Sequence, residues 1–334
     1  MGCFGIGMVV CQCGLPQLRS ESVGKKAIVF AGQGAQFVGM GKDLVEAYPE
    51  CRDLYRKADE ILGYSLSKIC FDGPVEMLTK SNNCQPAIFV TSIACHIALM
   101  KEAPGTTFDA AAGLSLGEWS ALHMAGSISF EDGLRVLEAR GRFMQDACEA
   151  REGGMVSVIG LSADQLLKVC AATGVEVSNI NSPEQMVLSG ERGAVRKAEE
   201  MAKLEGASRT VMLNVAGAYH SSLMAPAAER LEGFLQGISF KASTIPVVSN
   251  VTGAFHGSVD EIRKNMVRQV TSTVRWVACV QSIRDTGVDR YVECGPGRIL
   301  SGLIKRIDSK AFLHSIQDLA TLKKANVELT GSAG

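Results

Sequence analysis

One serine lies in a sequence context that could expose a nucleophile. The pattern Gly-x-Ser-x-Gly occurs once, at residues 113–117, and places Ser115 between two glycines. Three alanines precede it and a helical pattern begins at Glu118, so the serine is predicted to stand on a sharp turn between a strand and a helix. Glycine suits such a turn because it has no Cβ atom, and a helix N-terminus would stabilise a developing negative charge. A Gly-Ser helix cap is the alternative interpretation.

A catalytic serine needs a general base, and the sequence offers five histidines. His220 follows a predicted strand and precedes a helical pattern that opens with two serines. A histidine beside a helix N-terminus is biased towards the neutral imidazole, which is the form that accepts a proton. His220 is therefore the predicted base. The others lie in predicted helices, a loop or a short apolar strand, where a structural role is the simpler interpretation: His96, His123, His256 and His314.

A second glycine-rich turn, Gly-Gln-Gly-Ala-Gln at residues 32–36, follows the first predicted strand. It does not fit a dinucleotide-binding fingerprint, because Phe37 stands where a third glycine is required. The backbone N–H groups of this turn, including that of Gln33, could instead bind an oxyanion. An ordinary tight turn explains the same residues equally well.

Arg140 is a charged residue in an apolar setting. The helical pattern over residues 130–150 has a stripe of charged residues at three- and four-residue spacing, and Arg140 lies off that stripe among apolar residues. A guanidinium on an apolar face must find an anionic partner or bear a large desolvation cost. That partner is either a carboxylate of the protein, which is the commoner case, or a carboxylate of the substrate. In the second case the protein would select a dicarboxylic acyl group.

The composition excludes several classes of function. The 334 residues carry 34 basic and 35 acidic side chains, for a formal net charge of −1, so nucleic acid is not an expected partner. The longest apolar stretch is too short to span a bilayer, so no membrane insertion is expected. The 11 cysteines are irregularly spaced, which favours a reduced, cytoplasmic compartment. No histidine or cysteine pattern predicts a metal site.

The elements that must position these residues follow from hydrophobic periodicity. Strand, glycine turn and helix recur in that order, which is typical of an α/β fold with a parallel sheet. Residues 151–216 instead have the order β-α-β-β-α-β of a ferredoxin-like module. We therefore predict a discontinuous α/β core over 26–150 and 217–320 with a small inserted subdomain. Residues 1–25 are expected to form a disordered leader, and residues 321–334 a C-terminal tail.

Six motifs in a fixed order resemble one enzyme family. They lie within residues 26–308 and read A-G-Q-G-A-Q, G-L-S-L-G-E, R-G-R-F-M-Q, A-Y-H-S-S-L-M, V-R-Q and E-C-G-P-G-R-I-L. The chain is thereby similar to the malonyl-CoA:acyl-carrier-protein transacylases of type II fatty acid synthesis. The resemblance implies an α/β-hydrolase-like core with an inserted ferredoxin-like subdomain, which agrees with the predicted order of elements.

The resemblance also implies a role for each matching residue. Ser115 would be the acyl-accepting nucleophile, His220 its base, and Arg140 the partner of the malonyl carboxylate. Because a backbone carbonyl would orient the histidine, a serine–histidine dyad would suffice without a buried acid. The remaining roles would fall to backbone groups: the N–H groups of Gln33 and Leu116 as the oxyanion hole, and the carbonyl of Gln269 as the group that orients the histidine.

The implied reaction is a ping-pong transfer of malonyl from malonyl-CoA to the phosphopantetheine thiol of acyl carrier protein. It would serve fatty acid or polyketide synthesis and would need no metal or redox cofactor. We expect a cytoplasmic monomer that binds neither nucleic acid nor membrane, although a leader acting as a transit segment would make the location organellar. The alternatives are a serine hydrolase or thioesterase acting on acyl-CoA, and a non-catalytic acyl-binding protein of the same fold.

Three residues depart from the family pattern. Leu114 stands where the family usually has His, Ala31 replaces a common proline, and Tyr219 stands where malonyl-selective members usually have Phe. The change at Leu114 removes a polar group but no catalytic role. Tyr219 keeps an aromatic wall beside the histidine, so malonyl is still the expected acyl group.

Overall fold

A computed structural model describes residues 24–330 of the chain. Residues 1–23 of the predicted leader lie outside this range, whereas Lys25 already begins the first strand. The strands in the described range are β1 (Lys25–Phe30), β2 (Ala110–Gly113), β3 (Gly153–Ile159), β4 (Glu176–Ser182), β5 (Gln185–Glu191), β6 (Arg209–Met212), β7 (Val288–Cys294) and β8 (Phe312–Ile316).

The helices of the same range lie between these strands and after the last of them. They are α1 (Lys42–Ala47), α2 (Pro49–Leu62), α3 (Leu66–Asp72), α4 (Val75–Thr79), α5 (Ser81–Glu102), α6 (Gly117–Met124), α7 (Phe130–Ala150), α8 (Ala163–Thr173), α9 (Arg192–Leu204), α10 (Ala225–Leu235), α11 (Val259–Arg268), α12 (Trp276–Arg284), α13 (Ile299–Ile307) and α14 (Leu319–Thr330). The resulting mixed α/β architecture confirms the predicted fold class.

The first sheet is parallel, with strand order β2-β1-β7-β8. Its central strand β1 is apolar and buried from residue 27 to residue 30, as expected for a parallel sheet that is covered on both faces. Phe30 pairs with Gly113, so β1 and β2 end side by side. The glycine-rich turn and the serine turn therefore begin at the same edge of the sheet, which is where ligands bind in open α/β folds.

The second sheet is antiparallel, with strand order β4-β5-β3-β6. Helices α8 and α9 connect its strands in the predicted β-α-β-β-α-β order, and a separate apolar cluster lies between them and the sheet. Backbone hydrogen bonds between Ser178, Ile180 and Val274 join β4 to the chain that follows α11. The same segment carries Gln269, so the small sheet helps to hold that residue in place.

Two segments show more structure, or less, than the sequence pattern indicates. The sequence pattern predicts a strand over 245–250, but this segment pairs with β2 only locally, through Ala111, which bonds to Pro246 and Val248 at 2.9 and 3.0 Å. Pro246 has no N–H to donate, which prevents a longer ladder. Residues 321–330 of the expected C-terminal tail form most of α14, in which Leu322 and Ala325 are buried.

Helix α5 is the one helix in residues 24–330 that is long and apolar enough to cross a membrane. In the fold, 83% of its apolar window is buried inside the protein. It packs against α2 and α7, as the central helix of a core does. Its first two turns carry Ser81 and Gln85, both buried, to the edge of the sheet where the serine lies.

Candidate active site

The serine turn, residues 113–117, joins β2 to α6 and holds Ser115 in a strained backbone conformation. Its φ angle is 55°, in a region that residues other than glycine rarely adopt. Both flanking glycines are required sterically. A Cβ atom on Gly113 would collide with the backbone of Gly117, and one on Gly117 would collide with the carbonyl oxygen of Phe30. The packing therefore confirms the predicted strand–turn–helix setting of the serine.

Replacing Gly113 with Ala is expected to destabilise the fold by at least about 2 kcal/mol, because the added methyl has no space. Gly302 offers a matched control, since it lies in the middle of α13 and a Cβ atom there meets nothing within 4 Å. Gly302→Ala should raise stability by about 0.5–1 kcal/mol. Chemical denaturation of both variants measures the two effects, and equal changes would contradict the packing argument.

His220 and Ser115 form a hydrogen-bonded pair. The His220 Nε2 atom lies 2.8 Å from the Ser115 Oγ atom, and the His220 Nδ1 atom lies 2.8 Å from the backbone oxygen of Gln269. A carbonyl can only accept, so Nδ1 carries the proton and Nε2 is free to take one from the serine. Burial, assisted by the positive charge of Arg140, lowers the pKa of His220 to about 4, which keeps the ring neutral at pH 7.

Arg140 lies in the same site with only 1% of its surface exposed. Its Nη1 donates to Gln85 Oε1 at 2.7 Å, and its Nη2 donates to Gln269 Oε1 at 3.0 Å and to Ser115 Oγ at 3.1 Å. Burial lowers the pKa of Arg140 to about 10, so the guanidinium remains charged at pH 7. All three partners are neutral, and no carboxylate in the described part of the chain pairs with Arg140 directly.

The position of Arg140 follows from how α7 packs on α5. Gly141 lies against the backbone of Ser81, where a Cβ atom would collide with the carbonyl oxygen. This close approach of the two helices brings Gln85 on α5 within reach of the guanidinium. The off-stripe position that singled out Arg140 in the sequence thus corresponds to a buried cation beside the nucleophile.

The two turns that carry Gln33 and Leu116 touch each other. The N–H of Leu114 donates to the carbonyl of Phe30 at 3.1 Å, and a Cβ atom on Gly32 would stand 2.6 Å from the Leu114 carbonyl oxygen. Within residues 24–330, no hydrogen bond uses the N–H of Gln33 or of Leu116. Both donors are therefore available for a hydrogen bond to a ligand.

Tyr219 uses its hydroxyl group to hold the glycine-rich turn. The hydroxyl lies 2.8 Å from Ser81 Oγ, and the Gln33 side chain donates to both oxygens, at 3.2 and 3.4 Å. Burial raises the pKa of Tyr219 to about 12, so the group stays neutral. The departure from the phenylalanine of the family pattern thus adds a polar contact to the glycine-rich turn.

The sequence did not reveal three of the side chains around the serine. Asn250 Oδ1 accepts the Ser115 N–H at 2.7 Å, while its Nδ2 donates to the Gly113 carbonyl at 2.8 Å. Gln85 binds the arginine, and the buried carboxylate of Glu118 lies behind the turn. Of these three residues, only Glu118 could have been noticed in the sequence, because it is a charged residue in an apolar helix. Asn250 follows a segment without a motif.

Comparison with known proteins agrees with this geometry. The acyl transferase domain family matches residues 27–326. The malonyl CoA-acyl carrier protein transacylase of Bacillus subtilis is 40% identical over 306 residues, which cover 90% of this chain and 96% of the relative. The transacylase of the same name from Escherichia coli K12 is 41% identical over 285 residues, covering 84% and 92%.

Solved structures show the same similarity. A malonyl CoA-acyl carrier protein transacylase from Clostridium perfringens superposes with a TM-score of 0.88 at 38% identity, covering 92% of this chain and 98% of that one. A malonyl-transacylase in complex with its type II PKS acyl-carrier protein gives a TM-score of 0.88 at 38% identity, covering 92% and 100%. The resemblance inferred from the six motifs is thereby confirmed, and the chain belongs to the acyl transferase domain family.

Proposed function

We propose that the protein transfers a malonyl group from malonyl-CoA to the phosphopantetheine thiol of an acyl carrier protein. The observation that carries this proposal is the buried Arg140, a cation whose hydrogen-bond partners among residues 24–330 are all neutral and include the serine hydroxyl. A dicarboxylic acyl group attached to Ser115 would place its free carboxylate beside that guanidinium. Arginine binds carboxylates through two parallel hydrogen bonds, so this position would favour malonyl over acetyl.

In the first half-reaction, Ser115 Oγ attacks the thioester carbonyl while His220 Nε2 takes its proton. The N–H groups of Gln33 and Leu116 stabilise the oxyanion, supported by the N-terminus of α6. The carbon–sulfur bond then breaks, and His220 returns the proton to the CoA sulfur. The products are free CoA and a malonyl ester on Ser115.

The second half-reaction reverses these steps with a different thiol. The phosphopantetheine thiol loses its proton to His220 and attacks the ester carbonyl, and the proton passes to Ser115 Oγ as the ester bond breaks. A thioester is thus exchanged for a thioester without a change in oxidation level. The chemistry therefore requires neither a metal nor a redox cofactor.

We infer that the protein acts as a monomer in a reduced, cytoplasmic compartment. Every side chain proposed for the site comes from one chain, so catalysis does not require a second copy. The eight cysteines in the described range are free thiols, and seven of them are buried, which is typical of proteins that fold without disulfides. Light scattering of the purified protein tests the monomer.

Incubation with malonyl-CoA and a phosphopantetheinylated carrier protein tests the activity. The carrier protein should gain the mass of one malonyl group, whereas the carrier protein without phosphopantetheine should gain none. Rapid release of free malonate in the absence of carrier protein would indicate a hydrolase instead. Acyl-CoA binding without turnover would indicate a non-catalytic binding protein.

The lowered pKa of His220 makes a specific prediction for the pH profile. The base works only as neutral imidazole, so kcat/KM should fall as the pH decreases through about 4, and no acid limb should appear near the ordinary histidine pKa of about 6.5. The acid limb in the pH profile of kcat should lie at a higher pH than that of kcat/KM. A bound malonyl carboxylate would offset the positive charge of Arg140, which lowers the pKa of His220.

Folding needs a control in the same pH range. Because burial depresses the pKa of His220 in the folded state, the neutral ring favours folding above the ordinary histidine pKa of about 6.5, and that contribution is lost as the pH falls from 6.5 towards about 4. Circular dichroism at each pH separates this loss from the loss of the base. An acid limb of kcat/KM near 6.5 in fully folded protein would contradict the assignment.

A further inference from the structure

A buried carboxylate that the proposed reaction does not use lies directly behind the nucleophile. Glu118 is fully buried in the first turn of α6, three residues after Ser115. Its Oε2 accepts hydrogen bonds from Gln269 Nε2 at 2.6 Å and from the Asn250 N–H at 3.1 Å. Its Oε1 lies 2.8 Å from His256 Nε2, which must donate because a carboxylate accepts.

Two of these partners hold the backbone of the strained serine. Gln269 Nε2 also donates to the carbonyl of Ser115 at 3.0 Å, and Asn250 Oδ1 accepts the Ser115 N–H at 2.7 Å. A residue with an unfavourable φ angle persists only where its surroundings fix it. Glu118 holds both of these residues, Gln269 through its side-chain amide and Asn250 through its backbone N–H.

The carboxylate also decides which way the Gln269 amide points. Its nitrogen faces Glu118 and its oxygen accepts from Arg140 Nη2 at 3.0 Å. A flipped amide would turn its NH2 group towards the guanidinium donors and its oxygen towards the carboxylate, and both contacts would be repulsive. The charge at each end therefore selects a single orientation, and Gln269 links the buried anion to the buried cation.

We propose that Glu118 is a positioning residue for malonyl selection: its carboxylate orients the Gln269 amide, which in turn aims the Arg140 guanidinium at the acyl site. The negative charge also opposes the effect of burial on Arg140, because it raises the pKa that burial lowers. This inference rests on the proposed function of the site. It assigns a role to a residue that touches neither the acyl group nor the reacting atoms.

The test is competitive acylation of Ser115 by equal concentrations of malonyl-CoA and acetyl-CoA, read as the ratio of the two adduct masses. Both donors compete for the same active molecules, so the ratio does not depend on how much of a variant folds. In Glu118→Gln, the new NH2 group can donate to the oxygen of a flipped Gln269 side chain, so the orientation of Gln269 is no longer fixed. The malonyl-to-acetyl ratio of this variant should therefore fall at least about tenfold. Glu118→Asp keeps the charge one methylene further away and should give an intermediate ratio.

Glu293 provides a matched control. It is a buried carboxylate, 1% exposed, that accepts from the N–H groups of Leu300 and Ser301 at 3.0 and 2.8 Å. Glu293→Gln should lower stability and leave the ratio unchanged. A wild-type ratio in both Glu118 variants, or an equal fall in Glu293→Gln, would overturn the inference. Absence of malonyl labelling in the wild type would instead refute the proposed function.

Discussion

Replacing Arg140 with Ala is expected to lower kcat/KM for malonyl-CoA about a hundredfold to a thousandfold, the usual cost of removing one member of a buried charged pair. Transfer of acetyl, which has no free carboxylate, should be retained or improved. The reason is that the buried guanidinium donates to the Ser115 hydroxyl and would therefore lie beside the free carboxylate of a malonyl group on that serine. Steady-state kinetics with both acyl-CoA substrates measure the change in selectivity.

Two further variants on α7 sharpen this test. Arg142→Ala removes an exposed arginine that pairs with Glu138 on the surface, and it should change neither rate. Arg140→Lys keeps the positive charge but loses the planar fork, so it should recover only part of the malonyl activity. Malonyl selectivity that survives Arg140→Ala would contradict the carboxylate-binding role.

Replacing His220 with Ala is expected to lower kcat for malonyl transfer by about 10²–10⁴, the usual contribution of a general base. The residual rate would come from the oxyanion hole and from binding, which the substitution leaves in place. The expectation rests on the 2.8 Å contact between His220 Nε2 and Ser115 Oγ. Release of CoA in a single turnover isolates the acylation step.

His123, a partly buried histidine, offers a comparison. Its ring packs on Phe89 and Phe130, and its Nδ1 lies 3.0 Å from the carbonyl oxygen of Ile128. His123→Ala should therefore reduce stability and leave the acylation rate of the folded protein unchanged. Equal rates for His220→Ala and the wild type would show that another group accepts the serine proton.

The sequence was most informative where a residue contradicted its local pattern. Arg140 stood off the charged stripe of its helix, and the structure buries it beside Ser115. The two glycines of the serine turn indicated a close approach of backbone, which the packing of Gly117 against β1 explains. Such signals are local, because they depend on steric space and desolvation at a single position.

The same reasoning would have found Glu118, because it too is a charged residue in an otherwise apolar helix. Asn250 and Gln85 could not be found in this way. Each is an uncharged amide, and its role depends on partners 135 and 55 residues away. The β-α-β-β-α-β module was predictable because its elements are consecutive, whereas the short bridge between Val247 and Ala111 depends on pairing with a distant strand.

The most direct test is the intact mass of the protein after brief exposure to malonyl-CoA, followed by peptide mapping. The mass should rise by one malonyl group, located on Ser115, and should return to its original value when phosphopantetheinylated carrier protein is added. Ser115→Ala should gain no mass under the same conditions. A stable wild-type protein that forms no adduct, or that carries the malonyl group on another residue, would contradict the assignment of Ser115 as the nucleophile.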